Sequence, residues 1–405
     1  MNADVVTARS AIESLRSGVP SRHAAARLGT TQREIREQFE DALDAVGQGH
    51  GATPLLVSAN FGAGKSHLLS YLQSLAERDG FVTAYVVISP EMPLGNGHFV
   101  LKTISETAHA PGRAGKALPT LMADLPVPSV EYQVLCDWAR QSGIADRFNA
   151  LLAIYREFRA EGELRAQILS DFEGKPLLKN HIRGKLKEIG QVADYDLSAP
   201  LNPLLAHDRI RLLAQIFRAA GGRGLVVLFD EVERIAKFSL KQRIAAYSEL
   251  GWWRQVAEQE GSGLLPVFAM TRGFLETTVT GGTRDELRFS PGDAALRGIE
   301  LLRRPLLLDT PTPEEEEDIK YRVRDIYQEA YGLAVPALPR TDVRTSIRSE
   351  IRRWIAQWDI RRFYPDYQPH MTEEAVQFDS EAIPDDAIPP DEDETWDTYS
   401  PTVAP

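Results

Sequence analysis

The stretch LLVSANFGAGKSHLL, residues 55–69, constrains the fold more than any other part of the chain. Its apolar start predicts a buried strand, and the leucines at helical spacing that follow predict a helix. The glycines between them allow backbone conformations in which successive N–H groups point at an anion, beside the positive end of the helix. The stretch is therefore either a loop that binds a nucleotide phosphate or a strand–turn–helix corner with a surface lysine.

The loop matches the P-loop pattern G-x-x-x-x-G-K-[ST], except that Ala59 stands in place of the first glycine. In such a loop Lys65 reaches the β- and γ-phosphates, and the Ser66 hydroxyl ligates Mg²⁺. The alanine puts the tightness of the first turn in doubt but leaves the phosphate contacts in place. The residues predicted to contact ATP are Asn60, Phe61, Gly62, Ala63, Gly64, Lys65, Ser66 and His67.

A second motif, GLVVLFDEVERI at residues 224–235, supplies the acidic residues that a P-loop NTPase needs. Its unbroken apolar run predicts a central strand that is covered on both faces and ends at Asp230. Asp230 would hold the water shell of Mg²⁺, and Glu231 would polarise the attacking water as a general base. The alternative is that the acidic pair is a helix N-cap followed by a first-turn acid.

The alternation of apolar runs and helical patterns predicts an α/β fold with a mostly parallel sheet. Thr271, at the end of the fourth strand, can reach the water between the γ-phosphate and the catalytic acid, or else makes only a local hydrogen bond. The five predicted strands lie at residues 54–59, 81–89, 224–230, 263–270 and 304–309. The predicted segments are an N-terminal helical segment at 1–50, an ATPase core at 51–310 with a helical insertion at about 100–220, a helical lid at 311–370 and an acidic disordered tail at 371–405.

The net charge of −12 belongs to the tail. Residues 371–405 hold eleven of the 58 acidic residues and no lysine or arginine, so the rest of the chain carries 46 basic and 47 acidic side chains. The tail's composition is typical of disorder; it is either a solubilising extension or a partner-binding segment anchored by Phe378, Trp396 and Tyr399. The nearly neutral body lacks the electrostatic footprint of a dedicated DNA-binding protein. If the protein binds DNA, we therefore expect the contact to be a local basic groove or a channel.

Several other features narrow the class of protein. The single cysteine, Cys136, excludes an intrachain disulfide and favours a reducing cytoplasm. No apolar run is long enough to span a bilayer, and the N-terminus lacks the residue order of a signal peptide. The eight histidines show no paired metal-ligand spacing, and no nucleophile elbow indicates a serine or cysteine hydrolase.

The order of these parts resembles the AAA+ ATPases, in particular the initiator-type branch with a small helical lid after the last strand. The resemblance implies a second sensor arginine in the lid sequence WDIRRFYP, which falls on Arg361 with Arg362 as its neighbour. Such a guanidinium would contact the γ-phosphate and couple lid closure to hydrolysis. The alternative is a pair of arginines on the lid surface.

The same resemblance implies an arginine finger that completes the site of a neighbouring subunit. A finger that acts in trans requires an oligomer, so we expect a homo-oligomer. Of the candidates we select Arg297, which lies shortly before the predicted last strand. The candidates in this segment are Arg288, Arg297, Arg303 and Arg304.

Three stretches resemble one family more closely, the ATP-binding proteins found with bacterial BREX-type phage-defence systems. They are AIESLRSGVPSRHAAARLGTTQREIREQFEDAL, NFGAGKSHLL and VVISPEMPLGNGHFVLKTI. The resemblance covers about residues 8–365. It implies an AAA+-like ATPase that acts on DNA with other defence proteins, such as a helicase or a methyltransferase.

The residues alone indicate DNA binding more weakly. VPSRHAAARLGTTQREIREQF has the pattern of a helix-turn-helix with Arg33 and Arg36 on its second helix, a pattern that plain helical pairs share. Arg183, Lys185 and Lys187 form either a basic contact surface or a solvated helix face. Two hypotheses follow: an oligomeric, ATP-hydrolysing motor or loader that acts on DNA, or a nucleotide-gated switch or scaffold that hydrolyses ATP slowly and recruits partners.

Overall fold

A parallel β-sheet lies at the centre of the computed structural model, which describes residues 3–19, 21–197, 204–274, 292–338 and 346–365. The strands are β1 (Leu55–Ala59), β2 (Val82–Val87), β3 (Leu225–Asp230), β4 (Leu264–Thr271) and β5 (Leu306–Leu307). Their order is β2-β3-β4-β1-β5, and every paired strand is parallel to its neighbour. The structure confirms the five predicted strands, although the last one spans only two of the residues predicted at 304–309, and the sheet is parallel throughout rather than mostly parallel.

Helices separate the strands, as the sequence pattern predicts. Two 3₁₀ segments, Val192–Asp194 and Val232–Lys237, complete the described elements. The helices are α1 (Ala3–Ser17), α2 (Arg22–Leu28), α3 (Arg33–Gly47), α4 (Lys65–Arg78), α5 (Gly97–Thr107), α6 (Ala117–Asp124), α7 (Val130–Gln141), α8 (Asp146–Glu157), α9 (Gly162–Phe172), α10 (Lys179–Glu188), α11 (Leu204–Ala219), α12 (Leu240–Ala257), α13 (Arg272–Phe274), α14 (Asp293–Leu302), α15 (Pro313–Tyr331) and α16 (Ile347–Phe363).

Both faces of the sheet are covered, which explains why the central strands read as unbroken apolar runs. Helices α3 and α4 cover one face, where Val57 and Leu228 are fully buried. The helices between β2 and β3, together with α12 and α14, cover the other face, where Val227 and Phe229 are fully buried. The polar ends of the strands are therefore the part of the sheet left for chemistry.

A buried charge cluster joins three helices of the insertion side. Asp171 on α9 is fully buried and accepts hydrogen bonds from Arg147 on α8, from Arg209 on α11 (2.9 Å) and from the Leu177 N–H (2.7 Å). A buried carboxylate is tolerated only when such partners compensate its lost hydration. The cluster fixes these helices against one another, away from the strand ends.

The N-terminal helices do not pack as one unit. α1 and α2 join α15 and α16 in a separate apolar cluster that includes Ile12, Leu28, Tyr327 and Trp358. α3 instead contributes Phe39 and its neighbours to the sheet side of the core. We call α1, α2, α15 and α16 the lid body, because they form one packed layer from opposite ends of the chain.

Two connections link the lid body to the core, at residues 29–32 and 308–312. The Gln32 side chain ties them together, since its Nε2 donates to the Asp309 carbonyl (2.9 Å) and its Oε1 accepts from the Asp309 N–H (2.8 Å). His67 on α4 hydrogen-bonds the Gly29 carbonyl (2.8 Å) through Nε2. Both connections are thus held near the start of α4, the first directly by His67 and the second through Gln32.

Some sequence predictions fall outside the described residues. These are Arg288, residues 339–345 and 366–370 of the predicted lid, and the acidic tail at 371–405 with Phe378, Trp396 and Tyr399. Their expected roles stay predictions.

Candidate nucleotide-binding site

The glycine loop, residues 60–64, connects β1 to the first turn of α4. Gly62 and Gly64 have φ values of 79° and 100°, which favour glycine because a side chain would clash with the backbone. A Cβ built on Gly64 meets nothing within 4 Å, so the space above the helix N-terminus is open. Ala59 is the last residue of β1 and pairs in register with Thr271, so its position needs only extended backbone rather than a glycine.

The residues after the loop lie where a phosphate and a metal ion would meet. Lys65 is buried, and its Nζ lies 3.5 Å from the carbonyl oxygen of Ala59. The Ser66 hydroxyl donates a hydrogen bond of 2.7 Å to Oδ2 of Asp230 at the end of β3. The structure therefore brings together the predicted phosphate-binding lysine and the two predicted metal-site residues, Ser66 and Asp230.

Asp230 has a further partner that the sequence analysis missed. The Tyr85 hydroxyl on β2 donates 2.8 Å to the same Oδ2, while Oδ1 accepts the N–H of Glu231 (2.9 Å). Burial, with the charge of Asp230 adding to it, raises the pKa of Tyr85 far above its ordinary value, so Tyr85 keeps its proton and remains a donor. Tyr85 lies beside Asp230 because β2 pairs with β3. The motif at residues 224–235 does not reveal that pairing, so no signal in the sequence indicated Tyr85.

Glu231, the predicted general base, is the only non-glycine residue of the described segments with a positive φ (60°). Left-handed backbone costs a residue with a side chain about 1–2 kcal/mol, so the surrounding structure has to hold it. Its carboxylate forms an ion pair with Arg234, one turn further on. Glu231 therefore lies at the strand ends, but with its charge engaged by a neighbour.

A second glutamate near the strand ends also escaped the sequence analysis. Burial raises the pKa of Glu233, against the opposing effect of the Lys65 charge. Its Oε2 is buried and has no hydrogen-bond partner among the described residues. Acids with perturbed pKa values concentrate at functional sites, which makes Glu233 a candidate for the same cleft.

A cavity of about 630 Å³ opens beside the glycine loop, between the core and the lid body. Its walls come from the turn at residues 29–32, from the loop at 62–64, and from α15 and α16. Its size is typical of small-molecule sites, and the loop residues 62–64 that line it follow the carboxyl end of β1. The open space above Gly64, the Ser66–Asp230 pair and this adjoining cavity fit a nucleotide with its metal ion.

Four arginines line the cavity, and two of them belong to the predicted helix-turn-helix. Arg33 and Arg36 face the cavity, while Ile35 and Phe39 of the same helix pack on the core. This arrangement places the two arginines beside the glycine loop. The lining arginines are Arg33, Arg36, Arg322 and Arg348.

The lid arginine nearest the loop is Arg348, not Arg361. Ser346, the N-cap of α16, would lie 3.4 Å from a Cβ at Gly62, and Arg348 lines the cavity. Arg361 is exposed in the last turn of α16, roughly 20 Å further along the helix at 1.5 Å per residue. Arg362 stacks on Tyr331 inside the lid body. The geometry thus does not bring Arg361 to the loop.

Thr271 and the finger candidates occupy different surroundings. Thr271 ends β4, between β1 and β3, so it lies in the row of strand ends that holds Asp230. Arg297 is half-buried on α14 and donates to Gln255 (2.9 Å), which occupies its guanidinium within the chain. Arg303 and Arg304 follow α14 and are exposed, Arg304 at 80% of its side chain. Of the three, these two are the ones that a neighbouring molecule could reach.

The remaining basic candidates lie on α10. Lys185 pairs with Glu161 (3.1 Å) and Glu188 (3.2 Å), so its charge is balanced locally. Arg183 and Lys187 are exposed on the same helix. Two exposed cations beside a neutralised one do not form a groove.

Within the described ranges, no group of three or more histidine, cysteine or acidic residues could hold a metal ion by itself. Mg²⁺ is commonly bound by one or two protein groups together with substrate phosphates, so Ser66 and Asp230 suffice for it only when a nucleotide is present. A search of the described helices finds none that is both long and apolar enough to cross a membrane.

The model of one protein family, described as "BREX system ATP-binding protein BrxC/D", matches residues 6–123 and 139–361 of the chain. The matched ranges include both strand-end motifs and most of the lid body. No curated protein and no solved structure matches the chain.

Proposed function

The chain belongs to the family of BREX system ATP-binding proteins BrxC/D, whose role is ATP binding in phage defence, and we propose that it is an ATPase that hydrolyses ATP in the cleft between the core and the lid body. The hydrogen bond of 2.7 Å between Ser66 and Asp230 carries this proposal. It joins the residue after the loop lysine to the acid at the end of β3, which β4 separates from β1, and this is the pairing that a Mg²⁺–nucleotide complex requires.

ATP fits the cleft in one orientation. The glycine loop and the start of α4 offer N–H groups to the triphosphate, and Lys65 neutralises the terminal phosphates. The base and ribose then extend into the cavity between residues 29–32 and the lid body. Arg348, which enters the cavity from α16, takes over in this proposal the lid-sensor role first given to Arg361.

Glu231 acts as the general base in this proposal, and Thr271 orients the attacking water. Ser66 and Asp230 hold Mg²⁺, which neutralises charge on the phosphates when it is bound. In the structure the Glu231 carboxylate is paired with Arg234, so hydrolysis requires that this ion pair open. We therefore expect ATP turnover to be slow until a further event breaks this ion pair and releases Glu231.

We also propose a homo-oligomer in which an exposed arginine after α14 completes the neighbouring site. Arg303 and Arg304 suit this role better than Arg297, because both are exposed, although Arg304 lies 3.8 Å from Glu300, whereas Arg297 is half-buried and donates to Gln255. On the basis of the family resemblance, we propose DNA and other defence proteins, such as a helicase or a methyltransferase, as partners. On the basis of the single cysteine, we propose that the protein acts in the cytoplasm.

ATP hydrolysis by the wild type and by Glu231→Gln, each with and without duplex and single-stranded DNA, tests the proposal. We expect DNA to raise the wild-type rate, and the variant to bind ATP but to lose turnover by at least about 100-fold. Equal hydrolysis rates for the wild type and Glu231→Gln under every condition would contradict the proposal that Glu231 is the general base of an ATPase.

The second candidate function is a nucleotide-gated switch or scaffold that binds ATP, hydrolyses it slowly and recruits partners. The Glu231–Arg234 ion pair favours it, because an arginine of the same chain engages the predicted base. Partner binding that follows ATP occupancy, with no change when Glu231 is replaced by Gln, distinguishes this function from the motor.

A further inference from the structure

We propose that Tyr85 is a positioning residue for Asp230, and that its hydroxyl sets the affinity of the cleft for the Mg²⁺ that accompanies ATP; this inference rests on the proposed function. Neither Tyr85 nor any other residue of β2 belongs to the two motifs at the strand ends. The hydroxyl nevertheless lies 2.8 Å from Oδ2 of Asp230, nearly as close as the Ser66 hydroxyl at 2.7 Å.

The acceptor positions of Asp230 show what the tyrosine does. An ionised carboxylate has about four lone-pair positions. Oδ2 accepts from Ser66 and Tyr85, and Oδ1 accepts from the Glu231 N–H (2.9 Å). One position on Oδ1 remains for a metal-bound water. Tyr85 therefore fills the position that would otherwise let the carboxylate rotate or take up bulk water.

The backbone around Tyr85 holds the hydroxyl in place. β2 pairs with β3 in a register that sets Val87 opposite Asp230, so Tyr85 lies two residues before the strand end. Side chains in strands lean along the strand direction, and those two residues apart share a face, which lets the ring reach the end of β3. The ring packs against the same apolar cluster as α3 and α4. Both the register and this packing resist displacement.

Hydrogen bonds of this kind from outside the ligand set orient metal ligands, and their loss typically lowers metal affinity by 10–100-fold. Removing the Tyr85 hydroxyl leaves the glycine loop and Lys65 unchanged, so contacts with the phosphates themselves persist. The expected defect is thus specific to the metal ion, unlike the general loss that a damaged sheet would cause.

The experiment measures ATP binding by the full chain at equilibrium, first in EDTA and then along a Mg²⁺ titration. Wild type, Tyr85→Phe and Tyr71→Phe are compared. Tyr71 on α4 packs against the same cluster, and its hydroxyl makes no hydrogen bond within the described residues, which makes it the matched control. Binding rather than turnover is measured, so the result does not depend on hydrolysis.

We expect Tyr85→Phe to bind ATP in EDTA within about twofold of wild type and to need about 10–100-fold more Mg²⁺ for half of the Mg²⁺-dependent increase in affinity, while Tyr71→Phe follows wild type. An unchanged Mg²⁺ requirement in Tyr85→Phe overturns this inference and leaves the proposed function intact. Weak binding already in EDTA overturns it in favour of a structural role for the ring. Absence of ATP binding by the wild type overturns the proposed function and, with it, this inference.

Discussion

The two walls of the cleft differ in how their side chains are held. On the core wall, which we take to include the strand ends beside the glycine loop, Ser66, Tyr85 and Asp230 converge in short hydrogen bonds, and Asp230 is only 5% exposed. On the lid wall, Arg348 is exposed. The comparison indicates a core wall that is organised before a nucleotide arrives and a lid wall that becomes ordered by contact with it. Substitutions on the core wall should therefore abolish function, and those on the lid wall should weaken it.

The largest effect is expected for Asp230→Asn, which leaves the size of the side chain unchanged and removes its charge. The amide also brings an N–H₂ group against the Ser66 and Tyr85 hydroxyls, so the hydrogen bonds around it have to rearrange. Hydrolysis should fall by at least about 100-fold, whereas ATP binding in EDTA should stay near the wild-type value. Steady-state rates and equilibrium binding check this, and a variant with near-normal turnover would contradict an organised core wall.

A smaller effect is expected on the lid wall. Arg348→Ala should weaken ATP binding about 10-fold or more, because a charge-assisted contact contributes about 1.5–3 kcal/mol. Arg361→Ala is the matched control, since it removes the same group from the far end of α16 and should leave the dissociation constant unchanged. Titration calorimetry separates the two variants. The reverse ranking would restore Arg361 to the sensor role.

The hydrogen bonds of Gln32 between the two connections, at residues 29–32 and 308–312, should affect the stability of the protein more than its affinity for ATP. Gln32→Ala removes both hydrogen bonds between this side chain and the Asp309 backbone, and each bond of this kind contributes about 0.5–1.5 kcal/mol. Urea unfolding monitored by circular dichroism measures the change. An unaltered urea midpoint would mean that water replaces the Gln32 side chain and that the two connections move independently.

The smallest effect concerns pH. Burial lowers the pKa of His67, against the opposing effect of its bond to Gly29, so the folded state keeps the ring neutral. Below about pH 6.5 the unfolded chain takes up a proton that the folded chain does not, so stability falls with falling pH by up to about 1.4 kcal/mol per unit. His67→Gln, which keeps a donor, should flatten this dependence between pH 7 and pH 5.5 in urea unfolding. Parallel curves for the two proteins would exclude His67 as the cause.

The core wall was predictable from sequence and the lid wall was not. A glycine loop, a lysine and a strand that ends in Asp230 are local patterns, and parallel strands bring their ends together by geometry alone. The lid body joins α1 and α2 to α15 and α16, some 300 residues later, through packing that no local pattern encodes. Arg361 was selected from a motif, but the direction of α16 decides which of its arginines faces the loop. Tyr85 depends on the register of β2 against β3, which is likewise a tertiary property.

The most direct measurement is equilibrium binding of ATP with Mg²⁺ to the wild type and to Lys65→Ala. Lys65 is buried in the first turn of α4, beside the open space above Gly64. If the core wall receives the triphosphate, the wild type binds and the variant loses at least about 100-fold in affinity, or about 2.7 kcal/mol. If both proteins bind ATP equally well, the nucleotide lies elsewhere and the cleft does not have the role assigned to it.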